Sequence, residues 1–209
     1  MINTILVEDD LYIQKHFSER LKSNKDFRLV GVYRDAFEAE KSCSGSIQLI
    51  LMDVRTQHRH SGLAAAERIK KVFPHIKIVA VTSLVDPEVL SKAKNGAADS
   101  LWYKDHGTEE LLDVIKRTLD GEKVFPSSSP SVEMEKAMSK DFSPRQLDIL
   151  RLYICGLTYQ EIADKIGISK NGVRWNLDDM VEKGEFESRE ALVATAIENK
   201  LMVTTLKDE

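Results

Sequence analysis

Five short apolar runs, each followed by a segment of helical periodicity, fill the first part of this chain, and that alternation restricts it to a parallel sheet covered by helices. The runs are Ile2–Val7, Phe27–Tyr33, Gln48–Met52, Ile76–Val81 and Asp99–Tyr103. Between them, Ile13, Phe17 and Leu21 recur at four-residue spacing and give one helix its inner face. Asp35 with Glu38 three residues on is a capping-box pattern. Leu63–Phe73 reads as a helix that stops before Pro74. Asp86-Pro87-Glu88 starts another, with proline at the first helical position. Thr108-Glu109-Glu110 opens the last, with Leu111, Leu112, Ile115 and Leu119 facing inward. The expected class is α/β.

Groups at the carboxyl ends of strands in such a sheet converge on one crevice. Here those groups are Glu8 and Asp9, then Asp53, Thr82 and Lys104. Taken singly, an acidic pair at a strand end is a helix cap, a threonine there is a turn residue, and a lysine is a solvated cation. Four such signals at successive strand ends point instead to one pocket suited to a divalent cation and a phosphoryl group. Mg²⁺ takes oxygen ligands and keeps several waters beside one or two carboxylates and phosphate oxygens. Glu8, Asp9 and Asp53 supply the carboxylates, and Asp53 is placed to attack phosphorus in line. Lys104 takes up charge on the non-bridging oxygens, and Thr82 donates a hydrogen bond to the acyl phosphate.

The second part of the chain differs in kind. Pro126-Ser127-Ser128-Ser129-Pro130-Ser131 cannot bury enough apolar area to order itself, so residues 121–140 read as a linker with local docking by Val132, Met134 and Met138. Residues 141–206 are helical throughout. Ser143 through Gln146 and Thr158 through Glu161 are capping boxes, and Gly156 suits a left-handed helix end. Gly167 allows a tight turn before Ser169 caps the next helix, and Ser188 opens the last. Two short helices joined at Gly167 make a helix-turn-helix. No run is long enough to span a membrane, and two distant cysteines, Cys43 and Cys155, read as small buried thiols kept reduced in a cytoplasm. His58 and His60 read as part of a solvated loop.

At this point a resemblance is plain. Ile5-Leu6-Val7-Glu8-Asp9-Asp10, Leu51-Met52-Asp53, Ala80-Val81-Thr82-Ser83 and Tyr103-Lys104-Asp105 resemble the motifs of response-regulator receiver domains. Phe142 through Gln146, Gly156 through Ala163 and Ile168-Ser169 resemble the LuxR-type helix-turn-helix, so the whole chain is similar to NarL/LuxR-type response regulators of bacterial two-component systems. The resemblance implies a flavodoxin-like, five-stranded parallel receiver over residues 1–120, followed by a smaller all-α helix-turn-helix domain. It implies that Asp53 accepts phosphate from a sensor histidine kinase. Glu8, Asp9 and the backbone carbonyl of Arg55 would join Asp53 around Mg²⁺, with Thr82 as switch hydroxyl and Lys104 as phosphoryl partner. It implies a regulator rather than an enzyme, binding promoter DNA and dimerising when phosphorylated. Leu101 stands where many receivers carry a switch aromatic, and the stretch from Arg55 to Ser61 is about one residue longer than usual.

Residues 170–183 would be the helix that enters the major groove. At about 100° per residue, Val173 and Leu177 face inward and Asn171, Arg174, Trp175, Asp178, Asp179 and Glu182 face out. The DNA-contact candidates are Lys165, Lys170, Asn171, Arg174, Trp175 and Asn176. Arg174 suits a guanine edge or a phosphate, and Asn171 suits adenine. Three basic residues in this stretch meet three acidic ones, and the chain from Ser139 onward carries ten Lys and Arg against thirteen Asp and Glu. Phosphate contact supplies most DNA affinity, so the helix is expected to bind weakly unassisted. Two rival readings follow: recognition of a protein partner by the acidic face around Trp175, and a free-standing aspartyl phosphatase, which would need a substrate cap that no segment provides.

Overall fold

The computed structural model describes residues 1–105, 110–202 and 206–208. It divides into two compact units. The first takes in residues 1–83 and 87–128 with a short piece from Leu206; the second runs from Ser129 and includes Leu84–Asp86.

In the first unit the elements follow in the order β1 (Ile2–Val7), α1 (Leu11–Ser23), β2 (Phe27–Tyr33), α2 (Ala36–Lys41), β3 (Leu49–Asp53), α3 (Gly62–Val72), β4 (Lys77–Thr82), α4 (Pro87–Lys92), β5 (Ser100–Tyr103) and α5 (Leu111–Leu119). The strands form one parallel sheet in the order β2-β1-β3-β4-β5. Central β3 is buried at all five positions, because helices cover both faces of the sheet. Edge strand β2 alternates instead, leaving Val30 and Val32 exposed. Leu6, Leu49, Leu51, Val79 and Val81 meet Phe17 and Leu21 of α1 and Val114 and Ile115 of α5 in one core. Trp102 packs edge-on against Phe17, with ring centroids 6.3 Å apart.

Some boundaries move for identifiable reasons. Asp99 leaves the fifth strand because its carboxylate accepts from Lys70 Nζ at 2.7 Å and from the Ile78 N–H at 2.8 Å. Thr108 and Glu109, expected at the start of α5, lie outside the described residues, and Glu110 holds the N-cap position without a side-chain capping bond. The stretch read as a linker contributes to both units. Val124 is buried in the receiver core, its N–H donating to Ser100 Oγ and its carbonyl accepting from the Leu101 N–H, both at 3.0 Å. Glu133–Met134 (β6) and Ala137–Met138 (β7) pair as a small antiparallel hairpin in which Met134 is fully buried. Residues 125–132 form neither helix nor strand.

The second unit adds α6 (Pro144–Ile154), α7 (Tyr159–Ile166), α8 (Lys170–Gly184) and α9 (Arg189–Glu198). Both capping boxes expected in this unit form, whereas Asp35 in the first unit caps α2 without a reciprocal bond from Glu38, and Gly167 takes the left-handed conformation (φ 74°) that ends α7. Ser169 and Ser188 cap α8 and α9 through the N–H groups of Gly172 and Ala191. Ile162, Ala163, Val173, Leu177, Met180, Leu192 and Ala196 close the core. The cysteines are not fully buried as expected. Both are half-buried thiols, and Cys43 Sγ donates to the Ala39 carbonyl because it sits near the end of α2 with one side open.

Gly62, the first residue of α3, ties this architecture to the strand end. Its N–H donates to the Val54 carbonyl at 2.9 Å, and a Cβ built there would stand 1.8 Å from the carbonyl oxygen of Asp53. Gly62→Ala is therefore expected to lower stability by about 2–3 kcal/mol, the range for overpacking a filled site. Gly45→Ala, where an added Cβ meets nothing within 4 Å, should be close to neutral. Urea titrations of the two variants check the difference.

Candidate functional site

The carboxyl ends of β1, β3, β4 and β5 bring the candidate residues to one edge of the sheet. Asp53 ends β3 opposite Val81, and Thr82 ends β4 opposite Tyr103. The Lys104 N–H donates to the Thr82 carbonyl at 2.8 Å, which extends the β4–β5 ladder by one residue. The Lys104 ammonium then lies 2.6 Å from Glu8 Oε2 and 2.9 Å from Asp53 Oδ2. Glu8, Asp9 and Asp53 each offer a carboxylate oxygen, all within 4.8 Å of one another. Glu8 is fixed from its other oxygen, which accepts from the Asp10 N–H at 3.1 Å. Asp10 itself caps α1 through the N–H groups of Tyr12 and Ile13, leaving Asp9 to the pocket. Asp53 and Thr82 are buried, Asp9 is half-buried, and the Lys104 side chain is 8% exposed.

Burial pushes the Asp53 carboxyl up to about 8, with the Lys104 ammonium pulling it down and Glu8 pushing it further up. For Lys104, burial works against charge, but the Asp53 and Glu8 carboxylates outweigh it and hold the ammonium above its ordinary range. Such a pocket lacks positive charge: one ammonium faces three carboxylates. An oxygen-rich, anionic donor set of this kind fits a hard divalent cation.

The loop after β3 supports the pocket from outside. The Thr56 N–H and hydroxyl both donate to the His60 carbonyl, at 3.1 and 3.0 Å, and the Ala36 N–H donates to Thr56 Oγ1. The Arg55 N–H approaches Asp53 Oδ1 at 3.4 Å, while its side chain is exposed. His58 is exposed as expected of a solvated loop, but His60 is not. Its Nδ1 lies 2.6 Å from Asp35 Oδ2, and its ring stacks on Phe37 with centroids 4.0 Å apart, because α2 lies beside the loop.

In the second unit, Lys165 is exposed near the end of α7, and Lys170, Asn171, Arg174 and Trp175 are exposed along the first half of α8. Trp175 is 64% exposed. Asn176 is half-buried and turned onto its own helix, donating from Nδ2 to the Gly172 carbonyl at 2.8 Å. The acids of the second half are answered within the unit. Asp178 accepts from Arg189 Nε at 2.8 Å. Asp179 meets Lys183 Nζ at 2.7 Å and Gln146 Nε2 at 2.6 Å. The Lys183 hydrogen bond holds the Asp179 carboxyl below its usual range against the opposing effect of burial, with Gln146 adding to the shift. Asp179 is thus half-buried rather than facing outward.

The response regulator receiver domain family matches residues 4–116, more than half of the chain, and the luxR family of bacterial regulatory proteins matches residues 140–196. The chain is a response regulator. It belongs to the receiver family and carries a LuxR-type helix-turn-helix as its second unit. The response regulator protein VraR of Staphylococcus epidermidis is 27% identical over 208 residues, covering 96% of this chain and 99% of that protein. VraR of Staphylococcus aureus is similar to the same extent. Among solved structures, one of two RcsB dimers bound to two parallel DNAs shares the fold with a TM-score of 0.60 at 20% identity, covering 94% of this chain and 98% of that one. RcsB from Salmonella enterica serovar Typhimurium bound to promoter rprA has a TM-score of 0.58 at 19% identity, over 93% and 98%.

Sequence reasoning missed the groups that hold this response regulator's site residues in place. Thr56 and Gly62 left no periodic signal, although a glycine opening a helix just after a strand-end loop is a hint of close approach. Gln146 was read as a capping residue only; its amide oxygen does accept from the Ser143 N–H, and its amide nitrogen reaches Asp179. Among the described residues, no helix is long and apolar enough to cross a membrane.

The raised Asp53 pKa fixes a pH dependence. Folding favours the protonated carboxyl, so between the unfolded value near 4 and the folded value of about 8 the native receiver binds more protons than the unfolded chain. Stability from this group is therefore greatest below pH 4, declines as pH rises, and levels off above about 8. Asp53→Asn removes the buried charge and is expected to raise the receiver melting temperature at pH 8.5, in EDTA, by roughly 10 °C or more. At pH 3.5, where the carboxyl is largely protonated in both states, the two proteins should melt together. Calorimetry at both pH values checks the sign.

Proposed function

We propose that Asp53 is the phosphoacceptor of this regulator, charged by a sensor histidine kinase, and that its phosphorylation controls binding of the second unit to promoter DNA. The observation that carries this reading is the convergence of Glu8, Asp9, Asp53 and Lys104 at one sheet edge. Glu8, Asp9, Asp53 and the Arg55 carbonyl would hold Mg²⁺. When bound, Mg²⁺ supplies positive charge that offsets carboxylate repulsion and the charge of the incoming phosphoryl oxygens. The protein's own part is geometric and electrostatic. Asp53 must be ionised to attack, a state that positive charge held beside it would favour. As the new bond from Asp53 oxygen to phosphorus forms, the bond from phosphorus to the kinase imidazole nitrogen breaks. Lys104, now shared between Glu8 and Asp53, is placed to follow the phosphoryl oxygens, and Thr82 to donate its hydroxyl to one of them. A two-state receiver biased in this way changes the surface it offers to a second copy, and pairing of two helix-turn-helix units doubles their DNA contacts.

For the second unit, DNA is favoured over a protein partner. The acids that argue for a protein, Asp178 and Asp179, are both occupied by cations, while Lys165, Lys170 and Arg174 enter no ion pair among the described residues. RcsB, a structural relative, is bound to promoter DNA in its solved structure.

Acetyl phosphate with Mg²⁺ should shift the wild-type protein on a Phos-tag gel and leave Asp53→Ala unshifted. Lys104→Ala is expected to retain some labelling while losing the phosphorylation-dependent gain in DNA affinity, measured by gel retardation. Labelling of Asp53→Ala at the wild-type level would overturn the assignment.

A further inference from the structure

The recognition helix poses an electrostatic problem of its own. Asp178 lies four residues after Arg174, one turn along the same face of α8, and it is the one acidic residue within four positions of Arg174 on that helix. Residues so spaced are neighbours, and opposite charges there attract. An Arg174–Asp178 pair would cancel the cation best placed to meet a phosphate or a guanine edge. The structure shows a different pairing. Arg189, the first residue of α9, donates from Nε to Asp178 Oδ1 at 2.8 Å and from Nη2 to the same oxygen. Its third nitrogen, Nη1, donates to the Tyr159 hydroxyl at 2.7 Å, and the guanidinium lies over the Tyr159 ring, 5.7 Å from the centroid. Tyr159 on α7 thus holds Arg189 from a second side while Asp178 engages it. Arg174 is exposed and enters no ion pair among the described residues.

We propose that Arg189 is a positioning residue that acts through Asp178: it draws the carboxylate away from Arg174 and so keeps Arg174 available to DNA. The proposal rests on the DNA-binding reading given above and deepens it. The planar fork of Arg189 suits this role, because it engages Asp178 and Tyr159 at once, which an ammonium does less well. Asp179 is held by Lys183 and Gln146, so it does not replace Asp178 beside Arg174.

The test is a mutant cycle in the full chain, with acetyl phosphate and Mg²⁺, using duplex DNA that the wild type enriches from a random pool. Affinity is measured by retardation across a salt series. Arg189→Gln is expected to weaken binding about threefold to fivefold, the range that a partly exposed ion pair supports. It should also lower the slope of log affinity against log salt by about one, as loss of one phosphate contact does. Adding Asp178→Asn to Arg189→Gln should restore affinity to near wild type, because Arg174 then has no carboxylate to pair with. In an Arg174→Gln background, Arg189→Gln should change nothing further. Weak binding that persists in the Arg189→Gln/Asp178→Asn protein, or a loss of the folded circular-dichroism signal in both, would make Arg189 merely structural and overturn the proposal while leaving the DNA reading intact. An unchanged affinity of Arg189→Gln would do the same. Absence of any salt-dependent retardation by the wild type would remove the DNA reading and the proposal with it.

Discussion

The receiver depends on one ammonium group set between two buried carboxylates. Three carboxylates within 4.8 Å cannot all stay ionised in a buried site without compensation. Lys104 supplies one positive charge, at 2.6 Å from Glu8 and 2.9 Å from Asp53, and the rest is left as a raised Asp53 pKa. The parallel sheet creates this situation by bringing four strand ends to one side. A flatter charge balance would make a more stable pocket and a less responsive one. The deficit of positive charge favours a cation at this edge, and a ligand shifts an equilibrium only by its differential affinity for the two states.

Around that pocket the backbone is held tightly. Gly62 lets α3 begin against the Asp53 carbonyl, where any side chain would collide. His58 and Arg59 both take left-handed conformations, φ 61° and 63°, at a cost of about 1–2 kcal/mol each. Hydrogen bonds offset that cost: Thr56 donates twice to the His60 carbonyl, and Lys207 and Arg59 share a backbone bond of 2.7 Å. Asp35 contributes at two places, capping α2 with one oxygen and meeting His60 with the other. The loop that follows Asp53 is thereby linked to α2 as well as to α3.

Much of this was legible because the physics is local. Alternating apolar runs and capping residues fix the receiver topology, and Glu8, Asp9, Asp53, Thr82 and Lys104 stand where strand ends leave them. The helix-turn-helix was equally legible, since Ser143, Thr158, Gly167 and Ser169 act within a few residues of themselves. Illegible features depend on distant partners. Asp99 departs from its strand for Lys70, twenty-nine positions back in the chain. Val124 looked like the start of a linker, yet it hydrogen-bonds to Ser100 and fills the core. His60 looked solvated because Asp35 and Phe37 are far from it in sequence.

The acidic output helix shows why bulk charge is a poor guide to a binding surface. From Ser139 onward the chain has a formal excess of three acidic residues, which argues against nucleic acid if charge is spread evenly. Charge is not spread evenly here. Asp178 and Asp179 are spent on Arg189, Lys183 and Gln146, in pairs whose fields largely cancel within a Debye length of about 8–10 Å. Lys170 and Arg174 have no such partner among the described residues, so the first half of α8 presents net positive charge. A DNA backbone approaching that half meets cations first, while the paired acids contribute little attraction or repulsion. Affinity is then set by a few unpaired groups, and fewer phosphate contacts make a shallower salt dependence.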